Sequence, residues 1–270
     1  MDRICVVTGA ASGIGLATTG HLRSRGDRVI ACDLHDADVI ADLLTPEGRA
    51  ELVAGVTRES GGKIDAIVAN AGGGPPHTSV SLNFFGAIAT LEGLRPLLEG
   101  SAAPRAVAVS SVASLRPPLP GLVEACLSMD ETAAIAIARD AIVTGNKDHS
   151  NLVPLNMDVG LDLYGTTKLA LQRWCRSVAT KEQWASAGIA LNVVALGFFD
   201  TPAAAYVLSD PRNREAMARL FPLRGAFPGR PEEAAAILGW CVSPENSQMT
   251  GQILFADAGL ECSARGGQST

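Results

Sequence analysis

Six short apolar runs, rich in β-branched residues and alanine, recur along the chain: ICVVTG (4–9), RVIACD (28–33), DAIVANAG (65–72), RAVAVSS (105–111), IALNVVALG (189–197) and GQILFADAG (251–259). Runs that are apolar throughout, rather than at alternate residues, suit strands covered on both faces. The sequence between them, near 13–25, 46–60, 78–99, 160–187 and 231–243, carries helical patterns. Strand and helix in alternation predict a parallel sheet with helices on both sides, and right-handed crossovers make it doubly wound. No repeat, low-complexity tract or linker divides residues 1–270, so one α/β domain is expected.

Two segments depart from the alternation. Residues 115–160 open on LRPPLPG, continue as an alanine- and isoleucine-rich helical stretch at 130–143, and pass through a polar turn at 144–151. The segment is too apolar for an open loop, and is expected either to roof a pocket or to bury an oligomer surface. Residues 198–227, with Phe198, Phe199, Tyr206, Val207, Leu208, Phe221 and Leu223, read as a helical cover bounded by prolines. A cover in that place can shut water out of a reaction.

Composition removes several classes of function. The net charge is −6 with no basic block, which argues against nucleic acid or an anionic membrane as partner. Six cysteines show no C-x-x-C pair, and Cys5, Cys32 and Cys241 lie in apolar runs, as free thiols in a reducing compartment do. The four histidines (His21, His35, His77 and His149) lack ligand spacing, so no metal site is expected. The uncharged stretch 4–20 after Arg3 imitates a signal peptide, but glycines and small polar residues interrupt it. A cytoplasmic protein without membrane spans is expected.

TGAASGIG (8–15) follows the first strand and opens the first helix. Gly9, Gly13 and Gly15 permit a tight turn and close approach of a ligand to the backbone, while the helix N-terminus offers N–H groups to a pyrophosphate. Asp33 closes the second strand 18 residues beyond Gly15, where a carboxylate can accept from ribose hydroxyls. Strand, glycine loop, helix and acid together indicate a Rossmann-type dinucleotide site. A carboxylate there repels a 2′-phosphate, and neither Ser12 nor Leu34 is basic, so the expected cofactor is NAD.

Tyr164, one of two tyrosines in the chain, stands four residues before Lys168 in LYGTTK. That spacing places both on one helix face. Together with TGAASGIG, Asp33, NAG (70–72) and the serines of AVSSVAS, it resembles the short-chain dehydrogenase/reductase superfamily from Arg3 to Gly259. DADVIADLLTPEGR (36–49), SLNFFGA (81–87) and VAVSSVASL (107–115) are similar to the bacterial 3α-hydroxysteroid dehydrogenase/carbonyl reductase branch.

The resemblance implies a set of site residues. Gly9, Ser12, Gly13, Ile14 and Gly15 fall in the pyrophosphate loop, Asp33 and Leu34 at the ribose, Asp42 and Leu43 at the adenine. Asn70, Ala71 and Gly72 lie beneath the cofactor, and Gly197, Phe199 and Thr201 match the nicotinamide clamp. Asn83, Ser111, Tyr164 and Lys168 fit the catalytic tetrad: Tyr164 the base, Lys168 the charge that lowers it, Ser111 the donor to the substrate oxygen, Asn83 the holder of a water. Ser110 and Ser114 are understudies for Ser111. The family's usual Pro-Gly is Leu196-Gly197 here, and Asp257-Ala258-Gly259 replaces Asp-Gly-Gly, a change expected to be harmless.

The activity so implied is NAD(H)-dependent interconversion of a hydrophobic secondary alcohol and its ketone: a 3α-hydroxysteroid, a terpenoid or an aromatic alcohol. The alternative is a catalytically idle nucleotide sensor on the same fold. Trp174 and Trp184, on the helix after Tyr164, read as core or subunit-contact residues, and a homodimer or homotetramer is expected.

Overall fold

The computed structural model describes residues 3–144 and 159–266. Seven parallel strands form one sheet: β1 (Ile4–Thr8), β2 (Arg28–Asp33), β3 (Val39–Ile40), β4 (Ala66–Ala69), β5 (Arg105–Ser111), β6 (Ala190–Leu196) and β7 (Ile253–Ala256). Their order is β3-β2-β1-β4-β5-β6-β7, so the winding reverses between β1 and β4. In open α/β sheets the crevice at that reversal, beyond the strands' C-terminal ends, is where ligands sit.

Successive residues of each strand feed opposite apolar layers. Val6, Ile30, Ile67, Ala106 and Leu191 face one core. Cys5, Val29, Ala66, Val107 and Val194 face the other. Burial on both faces is why the strands read as unbroken apolar runs. Strand β3 went unforeseen because two residues, paired Cys32 to Val39 and Asp33 to Ile40, are too few to show a period.

The α-helices are α1 (Gly13–Ser24), α2 (Pro46–Ser60), α3 (Ala87–Leu94), α4 (Leu122–Leu127), α5 (Glu131–Thr144), α6 (Val159–Val178), α7 (Ala205–Leu208), α8 (Pro211–Ala218), α9 (Pro231–Cys241) and α10 (Leu260–Arg265). Thr45 starts α2 by accepting from the Gly48 N–H at 3.0 Å, and Gly61, with φ +69°, ends it in the left-handed region. The expected helix 78–99 is one rod of changing pitch. A wider π-type turn, Ser81–Gly86, precedes α3, and a tighter one, Arg95–Leu98, follows it.

Of the 115–160 insertion, the helical stretch is α5, which follows α4 and packs with it against α6, while residues 145–158, with most of the polar turn and His149, lie outside the described residues. Glu131 fastens α5 to α2 through Arg49, with both guanidinium–carboxylate contacts at 2.7 Å. Helix α6 ends at Val178, so Trp184 belongs to a separate turn, Glu182–Ser186. It packs edge-on to Trp174 at 6.5 Å, and both rings are buried.

Among the described residues no helix is long and apolar enough to cross a membrane, and no group of metal-binding side chains gathers. Cys262 is exposed, whereas the other five cysteines are buried free thiols. Burial pushes the Cys5 and Cys32 thiols up to about 12.

Candidate active site

A cavity of about 1170 Å³ opens along the C-terminal ends of the strands and joins nearly every residue singled out from the sequence. At one end are Gly9, Ser12, Gly13 and Ile14, with Asp33, Leu34, Asp42 and Leu43 beyond. Gly9 (φ +69°) and Gly13 (φ +51°) take the left-handed backbone that lets the loop turn under a ligand. Gly15 does not line the cavity: a side chain there would run into the Gly9 carbonyl and the Asn70 amide. It is a packing glycine that seats α1 on the sheet, which corrects its expected place among the ligand contacts.

The Asp33 carboxylate accepts from the Ala11 N–H at 2.8 Å and from the Leu34 N–H at 2.6 Å. Those bonds tie the end of β2 to the glycine loop and fix the carboxylate at the cavity edge. Asn70 braces the loop from beneath, donating through Nδ2 to Thr8 O at 3.0 Å. Ser12 caps α1 without a side-chain bond to its first turn. A dinucleotide fits these features: glycine backbone for the phosphates, a helix N-terminus behind them, and a carboxylate for the ribose.

At the other end Ser111 closes β5 and Tyr164 and Lys168 project from α6. Three influences act on the Tyr164 phenol. Burial of its hydroxyl end, the largest, raises it; a hydrogen bond with Ser111 lowers it; Tyr206 nearby raises it. Lys168 is 3% exposed, its Nζ donates to Val109 O at 2.9 Å, and burial lowers its ammonium to about 8. The Nζ lies 5.6 Å from the centre of the Tyr164 ring. The cation expected to hold the phenol low is thus itself disfavoured by burial, and desolvation is the largest influence on the phenol.

Asn83 departs further from expectation. It is fully buried in the π-type turn and absent from the cavity wall. Its amide clasps the Gly73 backbone, accepting from the N–H at 2.7 Å and donating to the carbonyl at 3.5 Å. Gly72 is the spacer between Asn83 and Lys168, since a Cβ there would stand 2.8 Å from Asn83 Oδ1 and 3.1 Å from Lys168 Nζ. Ser110 and Ser114 are not understudies either. Gln172 donates to both, and their own hydroxyls donate to the Lys168 and Ser111 carbonyls.

The far wall comes from the 198–227 segment: Phe198, Tyr206, Met217, Leu220 and Phe221 reach the cavity. A satellite core of Val207, Met217 and Phe221 holds this cover together, while Leu223 points out to solvent. Thr201 lies against Gly13 across the cleft, 3.3 Å from where a Cβ would stand. Gly197 survives the loss of the usual proline before it, because its N–H still donates to Ala256 O at 2.9 Å. Helices α4 and α5 do not roof the cavity; from the described part of the insertion only Leu115, Arg116, Gly160 and Leu161 line it. Sequence reading missed α10, whose Leu260, Ser263 and Ala264 complete the wall. A six-residue helix after a strand leaves almost no periodic signal.

Comparison with known proteins bears on this arrangement. Residues 3–123 match the family model described as short chain dehydrogenase, and residues 129–261 the one described as enoyl-(acyl carrier protein) reductase. The chain is 34% identical to the 3-alpha-hydroxysteroid dehydrogenase/carbonyl reductase of Comamonas testosteroni, over 97% of this chain and 98% of that one. It is 30% identical to the cis-4-hydroxycyclohexanecarboxylate dehydrogenase of Sinomonas cyclohexanicum, covering 96% of each. The solved 3-alpha-hydroxysteroid dehydrogenase of Pseudomonas sp. B-0831, complexed with NADH, superposes with a TM-score of 0.85 at 33% identity, over 99% of this chain and 100% of that one.

Proposed function

The chain belongs to the short-chain dehydrogenase/reductase family, and we propose that it interconverts a hydrophobic secondary alcohol and its ketone with NAD(H). One observation carries the reading: Ser111, Tyr164 and Lys168 meet at one end of a cavity whose other end holds Gly9, Gly13 and Asp33. The glycine loop would hold the pyrophosphate, Asp33 the adenosine ribose, and Thr201 with Phe199 the nicotinamide end. The dinucleotide, when bound, supplies the acceptor or donor of hydride.

The chain's own residues manage the proton. Ser111 donates to the substrate oxygen and steadies charge that develops there. Tyr164 exchanges the hydroxyl proton with the substrate, and the Ser111 bond favours its anionic form. Lys168 adds positive charge behind it whenever it is protonated. Asn83 acts at one remove, fixing the Gly73 backbone next to Gly72, which packs against Lys168. Asp33, with Ser12 and Leu34 where a basic residue could stand, supports NAD over its 2′-phosphorylated counterpart. Leu115, Leu161, Phe198, Met217 and Phe221 form an apolar wall that supports a steroid, terpenoid or aromatic substrate. The steroid activity named for the Comamonas and Pseudomonas proteins supports that class, while the Sinomonas protein is named for a ring-borne secondary alcohol that also carries a carboxylate.

The test is direct. Purified protein with NAD⁺ and a panel of steroid, terpene and aryl secondary alcohols should generate NADH with at least one. Binding of cofactor with no turnover of any would favour the idle-sensor alternative. Tyr164→Phe should keep the NADH Kd while turnover falls by about 10²–10⁴, the usual worth of acid–base help. Turnover near the parental rate would mean that another group moves the proton.

A further inference from the structure

A buried ion pair between the Ser111 segment and α6 has no part in the chemistry above. Arg116 brings Nε and Nη2 to the same Asp162 oxygen, each at 2.6 Å. Arg116 is 7% exposed and Asp162 6%. Taking two charges out of water is expensive, and such a pair seldom outdoes apolar residues of equal volume in stability. Its placement is therefore the informative part.

Arg116 closes the turn that begins at Ser111. Its N–H donates to Ala113 O, and the Ala113 N–H donates to Ser111 Oγ at 3.2 Å. Asp162 stands two residues before Tyr164 in α6. Further along, the Leu119 N–H donates to Thr166 Oγ1 at 2.9 Å, and Gln172 Nε2 donates to Ser114 Oγ at 2.8 Å. At Gly165 the helix rides directly on the Ala113 carbonyl. Of these ties the ion pair is the one that grips α6 ahead of Tyr164, and it is the charged one.

We propose that Arg116 and Asp162 are positioning residues, setting the register of Ser111 against Tyr164 so that their two hydroxyls meet. The idea rests on the proposed function for its meaning in turnover, but its first readout does not. Tyr164 and Tyr206 are the only tyrosines in the chain, so Tyr206→Phe leaves one phenol whose ionisation shows in near-ultraviolet absorbance. That phenol then faces Lys168 on its own helix and the Ser111 hydroxyl from β5; Arg116 and Asp162 answer each other.

In the Tyr206→Phe background, Arg116→Met with Asp162→Leu removes both charges at similar volume. The Tyr164 midpoint should rise by about one pH unit as the Ser111 bond is lost. Ser111→Ala alone should raise it likewise, and adding the pair's removal to Ser111→Ala should move it no further. In the otherwise native chain, the pair's removal should lower kcat at least about tenfold while KM and the NADH Kd stay within about twofold. An unmoved midpoint overturns the proposal, as does a shift that adds in full to that of Ser111→Ala.

Should the double variant fail to fold, Arg116→Lys keeps the charge and loses the planar two-nitrogen grip. It is read in the same way, and parental midpoint and kcat there also overturn the proposal. Silence with every alcohol tested would sink the proposed function while leaving the phenol titration to decide this one.

Discussion

Lys168 is the costliest side chain of the site. Its ammonium is buried, donating to the Val109 carbonyl, and its value falls from 10.5 to about 8. Between those two pH values the unfolded chain binds the proton that the folded one gives up, so stability rises with pH across that window. Below about pH 8 the folded protein carries the full penalty of a desolvated cation. Lys168→Met should therefore raise the unfolding free energy at pH 7 by about 1–3 kcal/mol while removing turnover. Urea denaturation at pH 7 and pH 9 checks it: the gain should shrink at the higher pH, and an equal loss of stability at both would refute it. The raised Tyr164 value has the opposite slope, above the ordinary range of a phenol, so it does not cancel this effect. In the proposed reaction alcohol oxidation, which draws on the anion, should gain as pH rises through the alkaline range.

At the scale of elements, the turn from β7 into α10 holds the clearest departure from expectation. Ala258, at the family's glycine position, has φ +53°, where a Cβ is crowded. The change expected to be harmless is a local strain, tolerated because Asp257 accepts from the Gly259 and Glu261 N–H groups at 2.9 and 2.6 Å. Ala258→Gly should stabilise the fold by about 0.5–1 kcal/mol, the relief exceeding the added freedom of the unfolded chain. A thermal midpoint at or below the parent's would contradict that. The same turn shows what sequence could reveal. Strands β1, β2, β5 and β6 were plain because each is apolar on both faces, and α6 because one face repeats. Strand β3 and helix α10 were not, being made by neighbours rather than by pattern. Gly15, Asn83 and Ser114 belong to the motifs but do not line the cavity, because a motif does not say what a residue packs against.

For the whole molecule, folding and the proposed dinucleotide binding share one surface: the loop at Gly9, the carboxylate of Asp33 and the far later Thr201 line the same cavity. A ligand that binds this assembled state stabilises it by mass action, by about 2.7 kcal/mol at a hundredfold excess over Kd. NADH should raise the thermal midpoint more than NADPH at equal concentration, and Asp33→Ala should narrow the difference. Equal shifts in the parent protein would place the ribose elsewhere.

Helix α10 also bears on how the protein is made. The glycine loop, Asp33 and Asn70 all lie in the first 70 residues, whereas Leu260, Ser263 and Ala264 are supplied by the last helix described. During synthesis, which delivers the N-terminal part first, the glycine loop is made long before Thr201 and the wall of α10, so the cavity is complete only when nearly the whole chain has emerged.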